Sequence, residues 1–340
     1  MSRVLFQHPA SHDHETGSHP ERVERIEAIE RALGERDWLG WEVRESPAVR
    51  RAVLEAVHPG SYVQRIESIS LSGGGYLDMD TVLSRGSWEC ALHATGGAVA
   101  MVDALLGGEG RIGASVHRPP GHHAEAERGM GFCLFNHVAV AARHALDAHG
   151  AGRVLIVDWD VHHGNGTNDI FHATDEVLFC SIHQSPLYPG TGPAADVGSG
   201  PGTGYTVNMP VPPGSGDDVY GSLVEHVAVP LGREYAPRLV LVSAGFDAHR
   251  DDPLANCRCT APGFGAMAAS IRRLADELDV PVGLVLEGGY DLDGLASSLV
   301  ACLEALGAEV PSAADPGLAV HPLATAAVER LSARWPALAA

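Results

Sequence analysis

The stretch DWDVHHGNGT, residues 158–167, follows the apolar run RVLIV and ends it in charged and polar groups. Asp158, Asp160 and His162 are spaced two residues apart, so in an extended chain their side chains point to one side. Two carboxylates and an imidazole are costly to bury unless a cation or a hydrogen-bond partner compensates them. A capping or polar-core role suits one such residue, whereas a group this dense favours a metal site.

Asp160 and His162 can aim a carboxylate oxygen and an imidazole nitrogen at one divalent ion, and a third metal ligand is expected at the end of a neighbouring strand. The segment LVLVSAGFDAH brings Asp247 after an apolar run in the same way. Two carboxylates and one histidine leave coordination positions open, as in catalytic rather than structural zinc sites. Asp247 alone would suit a helix cap or a turn, so its assignment depends on its pairing with Asp160 and His162.

The loop RPPGHHAEAERGMGFCLFN places His122 and His123 side by side. Adjacent histidines could be metal ligands or a general acid/base pair, with tautomers set by acceptors such as Asp158 and Asn165. In LEGGYDL, Tyr290 follows two glycines, where its hydroxyl could stabilise an oxyanion; a surface tyrosine is the alternative. Seven other histidines are expected to be structural or on the surface: His117, His137, His144, His172, His183, His226 and His249.

The elements that must position these residues are predicted from hydrophobic runs. Six apolar runs predict strands: RVLF near the start, RIGASV at 111, RVLIVDWD at 153, VLFCSI at 177, RLVLVSAGFD at 238 and VGLVLEGGY at 282. Six helical patterns lie between them, starting at positions 19, 86, 136, 217, 263 and 294. Continuous apolar strands alternating with helices predict a mostly parallel α/β sheet covered on both faces. Ligands of such sheets bind beyond the carboxyl ends of the strands, where the polar residues lie.

Composition limits the alternatives. The 340 residues are 45% hydrophobic and 19% charged, without repeats or a long linker, which predicts a single domain over residues 1–340. The net charge of -20 disfavours nucleic acid and favours cationic partners, although it also serves solubility. No P-loop, GxSxG or GxGxxG motif supports a kinase, serine hydrolase or dehydrogenase.

The expected location is the cytoplasm. The six cysteines form no CxxC pair and are expected to be reduced, with CRC at 257–259 only a weak indication of metal. No apolar run approaches the ~18 residues of a membrane span, and no signal peptide is recognisable.

Taken in order, RPPGHHA, GFCLFN, DWDVHHGNGT, YPGTG, SAGFDAH and EGGY resemble the histone deacetylase and acetylpolyamine amidohydrolase superfamily. The similarity runs from HPERVERI at 19–26 through nearly the whole chain, and is closest in character to class II and bacterial histone deacetylase-like amidohydrolases. It implies a three-layer α/β/α arginase/deacetylase fold around an eight-stranded parallel sheet. The implied activity is zinc-dependent hydrolysis of the amide of an acylated amine, with acetyl-lysine as the type substrate.

The resemblance also assigns site residues. One zinc ion per chain would be held by Asp160, His162 and Asp247. His123, bonded to Asn165, would be general base and then acid; His122 would be held by Asp158. Tyr290 matches the tyrosine that stabilises the transition state. The resemblance also implies one or two structural potassium ions. The first site would consist of Asp158, Asp160, Ser181 and the main chain of His162 and Ile182. The second site would consist of the carbonyls of Phe171, Thr174, Val177 and Tyr205.

Five positions are implied to bind substrate. Gly131, Phe132 and Tyr188 correspond to the acyl-lysine channel, where most relatives have Phe at the last position. Leu254 stands where polyamine-specific vertebrate relatives carry glutamate, which favours lysine substrates. Asp80 corresponds to a rim position that contacts the substrate backbone, and His137 replaces the more usual Asn or Ser.

Several alternatives remain at this stage. The expected partner is an acylated lysine peptide or protein, or an acylated small amine, and a homo-oligomer is possible. The rival enzymes are an acetylpolyamine amidohydrolase and an arginase-type dimanganese hydrolase, the second of which needs more metal-directed acids. A rival of another class is a catalytically silent acyl-lysine-binding protein, against which the presence of Tyr290 and both loop histidines argues.

Overall fold

The computed structural model describes residues 2–315 and 317–339. Its strands are β1 Arg3–Gln7, β2 Glu42–Glu45, β3 Gly74–Tyr76, β4 Val82–Ser84, β5 Ile112–Ser115, β6 Val154–Asp158, β7 Val177–Gln184, β8 Thr206–Val211, β9 Leu239–Ala244 and β10 Val282–Leu286. Its α-helices are α1 Glu24–Gly34, α2 Arg51–Leu54, α3 Gly60–Leu71, α4 Ser87–Leu106, α5 His137–His149, α6 Asn165–Phe171, α7 Asp217–Leu223, α8 Val229–Tyr235, α9 Ala261–Glu277, α10 Leu292–Gly307 and α11 Pro322–Leu331.

Eight strands form one sheet in the order β2-β1-β5-β10-β9-β6-β7-β8. Every neighbouring pair in it is parallel. Strand β10, the last in the chain, lies between β5 and β9, with Val282 opposite Ile112 on one side and Val240 on the other. Strands β3 and β4 pair antiparallel in a separate small sheet. The predicted eight-stranded parallel sheet is confirmed.

Helices cover both faces of this sheet, which explains why its central strands are continuously apolar. All residues of β6, β9 and β10 are buried. Leu155 and Val157 of β6 pack in a core shared with α1, α9 and α10, whereas Val154 and Ile156 pack in a core shared with α4 and α5. Alternate side chains of one strand therefore enter two different helical layers, as the predicted α/β/α arrangement requires.

The structure differs from the patterns read in the sequence. Strands β2, β3, β4 and β8 and helices α2, α3, α6 and α11 were not predicted, and the helical pattern at 217–235 divides into α7, a π-helical turn at Val224–Ala228 and α8. The expectation of an extended chain through His162 is wrong, because β6 ends at Asp158. Beyond it, Asp158 Oδ1 accepts the N–H of Asp160 (3.1 Å) and Asp160 Oδ1 accepts that of His162 (2.9 Å). These local bonds bend the chain.

Within the described ranges, no helix combines the length and the apolar character needed to cross a membrane.

Candidate active site

Four adjacent strands of the sheet, β5, β10, β9 and β6, carry the candidate residues in the loops at their carboxyl ends. In this strand order the loops carry His122 and His123, Tyr290, Asp247, and the pair Asp160 and His162. Because parallel strands end at the same edge of a sheet, loops far apart in sequence meet there. The structure thus gathers these six residues at one edge.

Asp160, His162 and Asp247 form a buried cluster whose potential ligand atoms all lie within 4.8 Å of one another. His162 Nδ1 is 3.1 Å from Asp160 Oδ1 and 3.1 Å from Asp247 Oδ2. Glycine backbone packs directly against the carboxylates: a Cβ atom on Gly245 would overlap Asp160, and one on Gly288 would overlap Asp247. Two carboxylates and an imidazole in such a cradle fit a divalent metal, and zinc in particular.

The electrostatics of this cluster favour a cation. Although burial lowers the pKa of His162, its hydrogen bonds to Asp160 and Asp247 raise that pKa to about 10. Burial raises the pKa of Asp247, and the nearby charge of Asp160 raises it further. Two buried carboxylates this close repel each other unless positive charge lies between them. A divalent ion would supply that charge.

The paired histidines have different hydrogen-bond partners. His122 Nδ1 lies 2.9 Å from Asp158 Oδ2, and His123 Nδ1 lies 2.8 Å from Asn165 Oδ1. Asn165 donates through Nδ2 to Glu125 Oε1 (3.0 Å), which fixes its amide with the oxygen toward His123. An amide oxygen only accepts, so His123 carries its proton on Nδ1 and keeps a free lone pair on Nε2.

The two histidines also differ in charge. Burial lowers the pKa of His122, but the charges of Asp158 and Asp160 raise it overall to well above its usual range. Burial holds the pKa of His123 well below its usual range, and the neighbouring His122 and His162 lower it further. The site therefore pairs a protonated His122 with a neutral His123, which is the state a general base needs.

Aromatic rings line the approach to this edge. The ring of Tyr188 lies 5.3 Å from that of His123 at an interplanar angle of 84°. The ring of Phe132 lies 5.6 Å from that of Tyr290 at 89°. Gly131 has a φ of 56°, and a Cβ atom there would overlap the His123 ring, so only glycine fits. Tyr188 is 39% exposed whereas Tyr290 is buried, so the walls lead inward from solvent.

Asp80 and Leu254 both lie in loops that contact this region. Thr81 Oγ1 accepts the N–H of Phe132 (3.2 Å) and donates to Asp80 Oδ1 (3.4 Å), which places Asp80 beside the channel wall. Leu254 is half-buried, and its N–H donates to Asp252 Oδ1 (2.9 Å) in the loop after β9. Contact of either residue with substrate stays a prediction.

The predicted potassium groups are partly visible in the strand register. Asp158 lies opposite Ser181 on the neighbouring strand β7. In the second group, the carbonyl of Phe171 accepts the N–H of Thr174 (3.2 Å), and the carbonyl of Tyr205 accepts a bond from β7 (2.9 Å). A carbonyl has two lone pairs, so these bonds leave one free on each oxygen. Both potassium sites stay predictions.

Three residues that the sequence analysis did not single out support the site. Arg25 donates to the carbonyls of Glu287 and Gly289, both at 2.6 Å, and its guanidinium lies 5.0 Å from the centre of the Tyr290 ring. Glu287 Oε2 accepts the N–H of His122 (3.0 Å). The third residue is Asp252. Arg25 and Glu287 lie inside the motifs HPERVERI and EGGY, but only the folded loops indicate what they hold.

Other polar residues point elsewhere. The ring of His163 faces His183, 4.7 Å away, rather than the acidic cluster. In the described residues, a second group that could hold a metal joins α4 and α5: Nε2 of His144 and of His149 each lie 2.7 Å from the same oxygen of the exposed Asp103. Both histidines thus have Asp103 as a hydrogen-bond partner, so these three side chains bond to one another. All six cysteines are buried and free, including the CRC pair.

The parallel sheet, with paired histidines and an acidic cluster beyond its central strands, defines a protein of the arginase/deacetylase fold class. The histone deacetylase domain model matches residues 19–306, and the chain belongs to this family of hydrolases. The predicted family is confirmed.

Relatives and a solved structure agree with this assignment. The chain is 38% identical over 286 residues to a histone deacetylase-like amidohydrolase of Pseudomonas aeruginosa, covering 84% of this chain and 74% of the relative. It is 38% identical over 299 residues to a probable deacetylase of Archaeoglobus fulgidus, covering 86% and 82%. The crystal structure of the HDA15 HD domain matches with a TM-score of 0.92 and 35% identity over 100% of this chain and 98% of that chain.

The names of two relatives bear on location. Histone deacetylase 14 of Arabidopsis thaliana, 38% identical over 324 residues and covering 90% of this chain and 77% of the relative, is named chloroplastic. Histone deacetylase 10 of Oryza sativa subsp. japonica, 38% identical over 317 residues and covering 88% of this chain and 72% of the relative, is also named chloroplastic. The cytoplasmic location stays a prediction.

Proposed function

We propose that the protein is a zinc-dependent deacetylase that hydrolyses the side-chain amide of acyl-lysine, with acetyl-lysine as the type substrate. The observation that carries the proposal is the neutral His123, whose Nδ1 is bonded to Asn165 and whose ring lies 5.7 Å from the ring of His162 in the acidic cluster. A base with a free Nε2 is thereby held beside a cation site, as amide hydrolysis requires.

Zinc is the proposed metal, and Asp160, His162 and Asp247 would hold it. When bound, zinc would act as a Lewis acid on the acyl carbonyl and on the attacking water. The donor set supports zinc because it combines one imidazole with two carboxylates. The proposal includes one or two potassium ions in the predicted groups, supported by the position of Asp158 opposite Ser181.

The protein's own groups would move the protons. His123 Nε2 takes a proton from the attacking water and returns it to the lysine amine as that group leaves. His122, held by Asp158, keeps a positive charge next to the reacting atoms. The Tyr290 hydroxyl donates a hydrogen bond to the oxygen that becomes negative. Burial raises the pKa of Tyr290 well above its usual range, so this hydroxyl keeps its proton.

The channel supports an extended, apolar substrate arm that ends in an amide. Phe132 and Tyr188 offer aromatic faces to a lysine side chain, and the apolar Leu254 offers no charge to a second amine of a polyamine. The net charge of -20 favours cationic peptides. An acetylpolyamine amidohydrolase remains the second candidate because the same chemistry would cleave its substrates.

A substrate panel tests the proposal. The purified zinc-loaded protein is assayed on acetyl-, trifluoroacetyl- and longer acyl-lysine peptides and on N-acetylputrescine. We expect turnover of the peptides, its loss after chelation, and its return with added zinc. His123→Ala should lose about 10²–10⁴-fold in rate. His226→Ala, in the half-buried π-helical turn between α7 and α8, is the matched control and should stay active.

Three outcomes would contradict the proposal in different ways. Full activity without zinc or in His123→Ala would reject the mechanism. A higher kcat/KM on N-acetylputrescine than on any peptide would make the protein a polyamine enzyme. Tight binding of acetyl-lysine peptide with no product would make it a silent acyl-lysine-binding protein.

A further inference from the structure

The loop after β10 carries Tyr290, and its backbone is held from two sides. On one side Arg25 binds the carbonyls of Glu287 and Gly289. On the other side, Asp252 Oδ2 accepts the N–H of Tyr290 at 2.7 Å and that of Asp291 at 3.3 Å. The main chain on both sides of the tyrosine is therefore fixed by charged side chains from other elements.

Asp252 reaches this loop from the loop after β9. It lies five residues after Asp247, is 7% exposed, and accepts the N–H of Leu254 through its other oxygen at 2.9 Å. Its carboxylate thus receives three backbone N–H groups from two loops. The loop after β10 carries Tyr290, and the loop after β9 carries Asp247 of the acidic cluster, so Asp252 joins these two loops.

The tyrosine loop needs such an anchor. Gly288 and Gly289 precede Tyr290, and Gly289 has a φ of 122°, a conformation that only glycine adopts readily. Glycine pairs leave the chain many alternative conformations unless other contacts exclude them. Burying a carboxylate here is costly: burial and the nearby charge of Asp247 raise the pKa of Asp252 to about 7, even though its N–H bonds lower that pKa. The three N–H bonds offset that cost, since unsatisfied buried N–H groups are themselves unfavourable.

We propose that Asp252 is a positioning residue that fixes the backbone of Tyr290 and thereby aims its hydroxyl at the acyl oxygen. In this role Asp252 acts through the tyrosine rather than by contact with substrate or metal. The proposal rests on the proposed function, because it assigns Tyr290 the role of hydrogen-bond donor in amide hydrolysis.

A double-mutant cycle in the zinc-loaded protein tests this. Asp252→Ala should lower kcat about 10- to 100-fold with little change in KM or zinc content, less than the ~10²–10³-fold loss expected on removing an oxyanion donor outright. Asp252→Asn should recover part of the rate, because its amide oxygen still accepts. The exposed neighbour Asp251 provides the control, and Asp251→Ala should behave as wild type. In a Tyr290→Phe background, Asp252→Ala should lower kcat by less than about twofold.

Equal losses with and without the Tyr290 hydroxyl would overturn the proposal, and so would a loss of zinc that accounts for the lost rate. Hydrogen exchange gives a second readout that needs no turnover. The amides of Tyr290, Asp291 and Leu254 should exchange faster in Asp252→Ala, while other amides at the active-site edge keep their rates. Asp251→Ala should leave all of these amides unchanged.

Unchanged exchange at these amides would reject the anchor even in an active enzyme. A wild-type protein that hydrolyses no acyl substrate would reject the proposed function, and the exchange experiment would still report whether Asp252 holds the loop. Where Asp252→Ala does not fold, Asp252→Ser, whose hydroxyl is too short to bridge the same N–H groups, is compared with Asp251→Ser in the same two measurements, and equal exchange in both overturns the proposal.

Discussion

Replacing Asn165 by aspartate should move the acidic limb of the pH–rate profile to higher pH. The amide oxygen of Asn165 lies 2.8 Å from His123 Nδ1 and carries no charge. A carboxylate there would stabilise the protonated imidazole. Two unit charges about 4 Å apart interact by about 4 kcal/mol at an effective dielectric constant of about 20, equivalent to roughly 3 pKa units. Burial of the new carboxylate offsets part of this, so we expect a rise of about 1–3 units in the pKa of His123.

The sign follows from the proposed role of His123 as a base. Only the neutral imidazole accepts a proton. If the pKa of His123 is raised, the imidazole becomes protonated at a higher pH as the pH falls, so the loss of activity in acid begins at a higher pH. The assay is kcat/KM on an acetyl-lysine peptide from about pH 3 to pH 9, because the wild-type midpoint is expected well below the usual histidine range. Below both midpoints Asn165→Asp should be roughly 10- to 1000-fold slower than wild type, at about tenfold per pKa unit. Above both midpoints the two profiles should converge.

Asn165→Ala separates charge from orientation. It removes the acceptor without adding charge, so it should lower kcat/KM and move the midpoint to lower pH, because the hydrogen bond to Asn165 raises the pKa of His123. Like Asn165→Asp, it also removes the hydrogen bond that the Asn165 side chain donates to Glu125, so the two variants match in that respect. An unchanged midpoint in Asn165→Asp, or the same shift in Asn165→Ala, would refute the assignment of His123 as the titrating base.

Three further outcomes are expected. Tyr290→Phe should lose about 10²–10³-fold in kcat while zinc content, measured by elemental analysis, stays constant. Leu241→Ala, at a fully buried position of β9, should cost about 2–5 kcal/mol of unfolding free energy in urea titrations. Although burial raises the pKa of Glu21, its ion pair with Arg118 (2.7 Å) holds it well below the usual range. Its stabilising effect is therefore present at neutral pH and lost as pH falls below about 4.5, and Glu21→Gln should cost about 3–5 kcal/mol at pH 7 but much less in acid.

The sequence predicted the central sheet and the acidic cluster for one physical reason. Buried parallel strands are continuous apolar runs, and parallel strands end at the same edge, so Asp247 could be paired with Asp160 across 86 residues. The edge strands gave no such signal. β2 reads EVRE and is partly exposed, whereas β8 is buried at five of its six positions but Asn208 and Pro210 interrupt its apolar run.

The bend after Asp158 and the supporting residues could not be predicted in this way. The bend depends on side-chain oxygens of Asp158 and Asp160 that bind backbone two residues ahead, and hydrophobic periodicity carries no record of such bonds. Nothing in HRDDPLA distinguishes Asp252 from Asp251. One is buried under the tyrosine loop and the other is exposed, and that difference arises only when the loops after β9 and β10 meet.

The position of β10 has a consequence for how the chain reaches its native state. Until residues 282–286 are available, β5 and β9 have no neighbour between them, and the sheet is two separate halves with unpaired edges facing each other. The contact between β5 and β10 joins positions 170 residues apart, as Ile112 and Val282 illustrate, so it forms slowly compared with local structure. Between the synthesis of β9 and that of β10, a nascent chain therefore exposes two unpaired strand edges, and pairing of these edges with other chains would compete with the insertion of β10.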